Sequence, residues 1–260
     1  MPIVKLHGIE LYYETHGEGP AVVFLHGAAG NHLSWWQQVP VFRERYQCIT
    51  IDHRGFGRST DPAGAGGAEY VRDLELLLDE LEVDRVSLVA QSMGGRTALG
   101  FAVRHPQRVD ALVMADTWGF FDWPELQEEV RRLREQAGGQ EAPLAERALG
   151  QAFQAREPAR TFLYRQIAGL NPPRDPANIL PPAGAPDRAA VSRLTVPTLF
   201  IVGGEDTLTP PAILRRVADI IPGAQFREFP GFGHSVYFED ATGFNAEVER
   251  FLGAHVRVPA

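Results

Sequence analysis

Three residues of this chain have the types and the order that attack by a serine requires: Ser92, Asp206 and His234. Ser92 ends the apolar run Val86-Ser87-Leu88-Val89-Ala90-Gln91 and is followed by Met93-Gly94-Gly95. With Ala90 two residues before it and Gly94 two after, the pattern reads as a nucleophile elbow. A strand that swings directly into a helix strains the serine backbone and lifts its hydroxyl out of the sheet, and only small flanking residues let the two elements pass. The hydroxyl is a feeble nucleophile near neutral pH. It needs a neutral imidazole to take its proton and a carboxylate to hold that imidazole. Both residue types occur downstream: Asp206 lies in Gly203-Gly204-Glu205-Asp206 after the run Thr198–Val202, and His234 lies in Gly231-Phe232-Gly233-His234 after Gln225–Phe229. Alternatives stay open at this level. Glu205 sits one residue nearer its strand, Asp116 directly follows the run Ala111–Ala115, and Asp206 would also suit the cap of a helix beginning near Pro210 or Pro211. His234 is one of eight histidines, and its flanking glycines leave room for a tight loop.

A tetrahedral intermediate also needs donors for its oxyanion. The expected ones are the backbone N–H groups of Met93, which opens a helix, and of Ala28 in the loop His26-Gly27-Ala28-Ala29-Gly30. Loss of one such donor typically costs about 3 kcal/mol, roughly a hundredfold in rate; the competing reading of the glycine-rich loop is structural. Trp118, Phe120 and Phe121 either line an apolar acyl or alcohol pocket or pack in the core. Two other patterns fail on inspection. Gly55-Phe56-Gly57-Arg58-Ser59-Thr60 lacks the third glycine and the distal acid of a dinucleotide fingerprint, and the histidines include no zinc-hydrolase spacing. No cofactor and no metal are expected.

The elements that must position these residues alternate. Strand-like runs recur at Ile3–Leu6, Leu11–Glu14, Ala21–Leu25, Cys48–Asp52, Val86–Ala90, Ala111–Ala115, Thr198–Val202 and Gln225–Phe229, several of them continuously apolar and so covered on both faces. Helical patterns fall at Glu69–Leu81, Gly94–His105, Pro211–Ile221 and Thr242–His255. This makes an α/β chain with a mostly parallel sheet, and the first short runs read as an antiparallel hairpin at one edge. Between 118 and 194 no strand pattern appears. Here Leu126, Val130, Leu133 and Ala137 fall at helical spacing, with Asp122 placed to cap, Pro124 in the first turn and Gly138-Gly139 as the stop. Further helices are expected over Leu144–Ala155 and Ala159–Leu170, then a stiff connector from Asn171 to Pro186 with six prolines. Residues 118–194 are thus expected to form an inserted helical cap, a lid or a plain packing layer, on a core of 1–117 and 195–260.

The bulk properties fit one large globular domain: 260 residues, 44% hydrophobic and 22% charged. A formal net charge of -8 offers no electrostatic footprint for nucleic acid or an anionic membrane. With no apolar signal core at the amino terminus and no membrane-length apolar run, a cytoplasmic location is expected, with no membrane or nucleic-acid partner. Whether the chain is a monomer or a homodimer is open. The single cysteine, Cys48, lies inside a strand-like run and reads as an inert buried residue.

Taken together, His26-Gly27, Asp52-His53-Arg54-Gly55-Phe56-Gly57-Arg58-Ser59, Gln91-Ser92-Met93-Gly94-Gly95, Gly204-Glu205-Asp206 and Gly233-His234 resemble the α/β-hydrolase superfamily over nearly the whole chain apart from the insert. The resemblance implies an eight-stranded, mostly parallel twisted sheet, with Ser92 as nucleophile, His234 as base, Asp206 as orienting acid and an oxyanion hole from Ala28 and Met93. It implies acyl-enzyme chemistry on a small ester or lactone. Carbon–carbon bond hydrolases of ring-cleavage products and perhydrolases share that machinery, and some members of the fold only bind ligand. The carbon–carbon enzymes usually carry an asparagine before the serine and an aromatic residue after the histidine, where this chain has Gln91 and Ser235.

Overall fold

A strand without a polar break has to be covered on both faces, and the computed structural model, which describes residues 2–138, 142–173 and 185–256, places the apolar runs in that setting. Eight strands form one sheet: β1 (Ile3–Leu6), β2 (Ile9–His16), β3 (Ala21–Leu25), β4 (Gln47–Ile51), β5 (Val86–Gln91), β6 (Val109–Ala115), β7 (Thr198–Gly203) and β8 (Gln225–Phe229). Their spatial order is β1-β2-β4-β3-β5-β6-β7-β8. The β1–β2 and β2–β4 pairs are antiparallel and all the others parallel. Every residue of β3, β5 and β7 is buried, and side chains alternate between two layers. Val23, Leu25, Leu88, Ala90, Met114, Phe200 and Val202 face one apolar cluster, while Val22, Phe24, Val89, Val113, Leu199 and Ile201 face the other. Burying each Leu or Phe in such a layer contributes roughly 1.5–3 kcal/mol.

The helices are α1 (Val39–Phe42), α2 (Tyr70–Glu80), α3 (Gly94–Arg104), α4 (Pro124–Ala137), α5 (Leu144–Arg147), α6 (Gln151–Arg156), α7 (Pro158–Gly169), α8 (Arg188–Val191), α9 (Pro211–Ile220), α10 (Val236–Glu239) and α11 (Ala241–His255). Leu74, Leu77 and Leu78 of α2 and the buried apolar residues of α3 and α9 join the first cluster, and those of α10 and α11 the second. The strand register aligns the loops that carry the chemistry. Leu25 pairs with Ala90, Gln91 with Ala115 and Ala115 with Ile201, so the carboxyl ends of β3, β5, β6 and β7 lie along one rim. The order also reverses there: β4 lies on one side of β3 and β5 on the other. In open α/β sheets this reversal opens a crevice between the loops that leave the strands.

The segment from 118 to 194 carries α4 to α8 and, among the described residues, no ladder strand. Its two ends are zipped together by a bridge between Asp122 and Asp187, with the Asp122 N–H donating to Pro186 O at 2.8 Å and the Arg188 N–H to Asp122 O at 3.1 Å. The segment straddles the sheet. Leu126 and Val130 of α4 enter the first cluster, whereas Phe153, Tyr164 and Ile167 of α6 and α7 enter the second.

Two local expectations are corrected. Asp122 does not cap α4; the cap position is Trp123, with no side-chain bond, because the Asp122 backbone is engaged in the bridge. Pro124 itself starts the helix, its fixed φ suited to the first turn. The helix expected over Leu144–Ala155 is broken in two: Gly150 takes an extended conformation (ψ 142) ahead of α6, and its N–H donates at 3.1 Å to Glu239 instead of continuing a helical ladder. Residues 174–184 of the expected proline-rich connector and Gly139 of the expected helix stop lie outside the described residues. Among those residues no helix is long and apolar enough to cross a membrane.

Candidate active site

Ser92 leaves β5 with φ 48, in the left-handed region that non-glycine residues seldom occupy. The tight turn is enforced on both sides. A Cβ at Gly94 would lie 2.2 Å from Leu25 O, and one at Gly95 would lie 2.4 Å from the Thr117 side chain. The first turn of α3 therefore passes directly over the ends of β3 and β6. Ser92 is left half-buried, with its N–H donating to Ala115 O at 3.0 Å.

The structure brings the three sequence candidates into one chain of contacts. Ser92 Oγ lies 2.9 Å from His234 Nε2, and His234 Nδ1 lies 2.8 Å from Asp206 Oδ2. His234 is 4% exposed and Asp206 3%, so neither interaction is diluted by bulk water. The carboxylate is itself aimed. Asp206 Oδ1 accepts the Leu208 and Thr209 N–H groups, both at 2.8 Å, and the Thr209 hydroxyl lies against Oδ2. An ionised Asp206 can only accept, which places the imidazole proton on Nδ1 and leaves the Nε2 lone pair toward the Ser92 hydroxyl.

The competing acids are placed elsewhere, one by exposure and one by its partners. Glu205 is exposed and lines an outer cavity of about 650 Å³ with Glu146, Arg147 and Gly233. Asp116 is wholly buried, but its oxygens accept the backbone N–H groups of Gly203 and Val236 at 3.0 and 3.1 Å. Burial raises its carboxyl well above the usual carboxylate range, and the nearby Asp206 adds to the rise.

The loop after β3 lies against the serine: a Cβ at Gly27 would lie 3.0 Å from Ser92 Cβ and 2.0 Å from Gln91 Oε1. Ala28 and Met93 share a small buried cluster with Phe56 and Tyr70. The loop is held from behind, with His26 Nδ1 donating to Gly27 O at 2.8 Å while Nε2 accepts the His53 N–H at 3.0 Å. It is held from the inserted segment as well. Asn31 Nδ2 donates to Ile167 O at 2.9 Å, and Asn171 donates to Gly30 O at 3.1 Å while accepting the Gly57 N–H at 2.9 Å.

Trp118 and Phe121 are buried in the first core cluster and stack with Phe120 and Trp123 at centroid distances of 5.0 to 5.9 Å. Phe120 lines a separate groove with Val71, Arg96 and Gly100. The contacts of these aromatics thus hold the insert to the core. Cys48 is fully buried, and desolvation pushes its thiol up to about 12, so it carries no thiolate at neutral pH.

Sequence reasoning missed Gln91 as an anchor. Its Nε2 donates to His234 O at 2.8 Å, tying the residue before the serine to the backbone of the histidine. Such a contact spans 143 residues and leaves no local signal. His53, in sequence only one member of a motif, is buried (2% exposed) with Nε2 3.0 Å from Thr97 Oγ1. Desolvation, then His26 and Arg96, hold its pKa well below the ordinary 6.5. The folded protein keeps it neutral, whereas the unfolded chain takes up a proton below that value. Its contribution to stability is therefore full above pH 6.5 and falls as pH drops, by up to about 1.4 kcal/mol per pH unit. Urea unfolding at a series of pH values should show this slope in the wild type and a shallower one in His53→Gln; equal slopes would refute it.

Comparison with known proteins bears on the fold. The family model of the alpha/beta hydrolase fold matches residues 20–177. A thermophilic esterase from Thermogutta terrifontis is 29% identical with a TM-score of 0.81, over 95% of each chain. The enol-lactonase of Burkholderia xenovorans is 26% identical with a TM-score of 0.80, over 97% of this chain and 100% of that one. A 2-hydroxymuconate semialdehyde hydrolase from Pseudomonas sp. strain CF600 is 29% identical, over 94% of this chain and 91% of its own. With the family model matching more than half of it and the sheet of the same fold, the chain belongs to the α/β hydrolase fold family and is an enzyme of it, similar to esterases and lactonases.

Proposed function

We propose that the protein hydrolyses small carboxylic esters or lactones through an acyl-enzyme on Ser92. The observation that carries this reading is the unbroken chain of contacts from Ser92 Oγ through His234 to Asp206, 2.9 and 2.8 Å long. His234 takes the serine proton as Oγ attacks the carbonyl, then gives it to the leaving alcohol. Asp206 steadies the imidazolium that forms. The N–H groups of Ala28 and Met93 receive the oxyanion. Water then repeats the sequence on the acyl-enzyme and restores the hydroxyl. The 118–194 segment acts as the cap over the crevice, with Trp118, Phe120 and Phe121 packed against the core at its base. The likeness to an esterase and an enol-lactonase supports this substrate class.

A second reading, hydrolysis of a carbon–carbon bond in a ring-cleavage product, draws on the 2-hydroxymuconate semialdehyde hydrolase. Against it, the position after His234 is Ser235, whose Oγ is buried 3.1 Å from Tyr164 Oη and offers no aromatic face to a dienone. A side-by-side panel of p-nitrophenyl esters, lactones and ring-cleavage dienones separates the readings. Short-chain esters or lactones should turn over fastest, with a burst of p-nitrophenol equal to the enzyme present. Faster turnover of the dienones would overturn the proposal.

A further inference from the structure

Two buried carboxylates that the proposed chemistry does not use hold the loop that carries His234. Glu239, 4% exposed, accepts the Gly233 N–H at 3.1 Å and, on Oε2, the Gly150 N–H of the inserted segment at 3.1 Å. Asp116, with no exposure, accepts the Val236 N–H at 3.1 Å and the Gly203 N–H at 3.0 Å. The backbone is therefore pinned one residue before His234 and two residues after it. The same Asp116 group pins the end of β7, three residues ahead of Asp206. The junction has no slack: a Cβ at Gly233 would lie 2.4 Å from Gly150 N, and one at Gly203 would lie 1.9 Å from Gly233 O. Asp116 also sits at φ 49, a conformation that costs free energy and persists where its surroundings over-determine it.

Carboxylates are an expensive choice for this work. A carbonyl or a buried water would satisfy a backbone N–H at far lower desolvation cost. A carboxylate adds two acceptor oxygens in one rigid plane, which fixes two separate backbone segments relative to each other. Burial raises both groups above their usual range, with Asp206 adding to each. We propose that Glu239 and Asp116 are positioning residues that hold the 233–236 loop, and with it the His234 ring, in register with Ser92 and Asp206. Glu239 also makes that register depend on the inserted segment, because the same carboxylate holds Gly150. The inference rests on the reading of Ser92, His234 and Asp206 as the reacting set.

The test uses Glu239→Gln and Asp116→Asn in the full chain, each of which turns one acceptor oxygen into a donor facing a backbone N–H. Gly150→Ala perturbs the same junction without removing the carboxylate, since its Cβ would lie 2.9 Å from Glu239 Oε2. Leu77→Ala, in the core contact of α2, is the control for lost stability alone. A misplacement on the order of 1 Å can cost about a hundredfold in rate. Glu239→Gln and Asp116→Asn should each lower kcat by about tenfold or more, with KM within about twofold. Both should shift or broaden the low-field proton resonance of His234 Nδ1. Leu77→Ala should keep the wild-type kcat and resonance. If Glu239→Gln does not fold, Gly150→Ala decides with the same two readouts. Wild-type kcat and resonance in a folded variant remove that residue from the proposal, as does a loss no greater than that of Leu77→Ala. Turnover retained in Ser92→Ala would instead overturn the underlying reading, so the two failures are distinguishable.

Discussion

Replacing Ser92 with alanine lowers kcat on any accepted ester by on the order of 10⁴-fold or more, with the folded structure preserved. The reason is chemical. Alanine keeps the Cβ and removes only the atom that would form the acyl bond, so no cavity opens and no helix contact is lost. The direct structural cost is one hydrogen bond to His234, worth about 1 kcal/mol. The strained turn survives because Gly94 and Gly95, with no room for a side chain against Leu25 O and Thr117, set its geometry. Thermal unfolding should stay within a few degrees of wild type. Covalent labelling by a fluorophosphonate should vanish. Turnover close to wild type in this variant would mean that another group attacks the substrate.

Replacing Asp206 with asparagine produces the second large loss, about 10³- to 10⁴-fold in kcat with little change in KM. The backbone decides which way the amide points. Two N–H donors, from Leu208 and Thr209, converge on Oδ1 at 2.8 Å, so the amide oxygen occupies that side and the NH₂ replaces Oδ2. That group then donates to His234 Nδ1 and drives the imidazole proton to Nε2, where it faces Ser92. The lone pair that should accept the serine proton is gone, and no charge remains to steady an imidazolium. Active-site titration by burst kinetics separates this loss from unfolding: the acylation rate should collapse while circular dichroism stays native. A variant with near wild-type acylation would show that Asp206 does not set the tautomer.

The depth to which the residues alone disclosed this arrangement varied with how local each cause is. The buried strands were readable because continuous Val, Leu and Ile runs have no stable alternative to burial on both faces. Ser92 was readable because the elbow needs small residues within two positions of it. The residues by themselves left Glu205 and Asp116 open beside Asp206, and the resemblance to a known family is what singled Asp206 out. Neighbouring loop residues point in different directions, and only the packing shows Glu205 exposed and Asp116 turned to Gly203 and Val236. The break at Gly150 had a local sign in the glycine itself, a poor helix former, but the acceptor of its N–H, Glu239, lies 89 residues away.

By itself, then, the sequence determined the α/β alternation, the strand-end placement of a serine, an acid and a histidine, and the inserted helical segment, all consequences of short-range sterics and of apolar runs that must be buried. The tertiary structure decided which acid meets the imidazole, how Gln91, Asp116 and Glu239 hold the histidine loop, and how Asn31 and Asn171 tie the insert to the loop beside Ser92. Those contacts join segments that only the sheet order and register bring together, and a hydrogen bond between distant segments imposes no periodicity on the residues that make it.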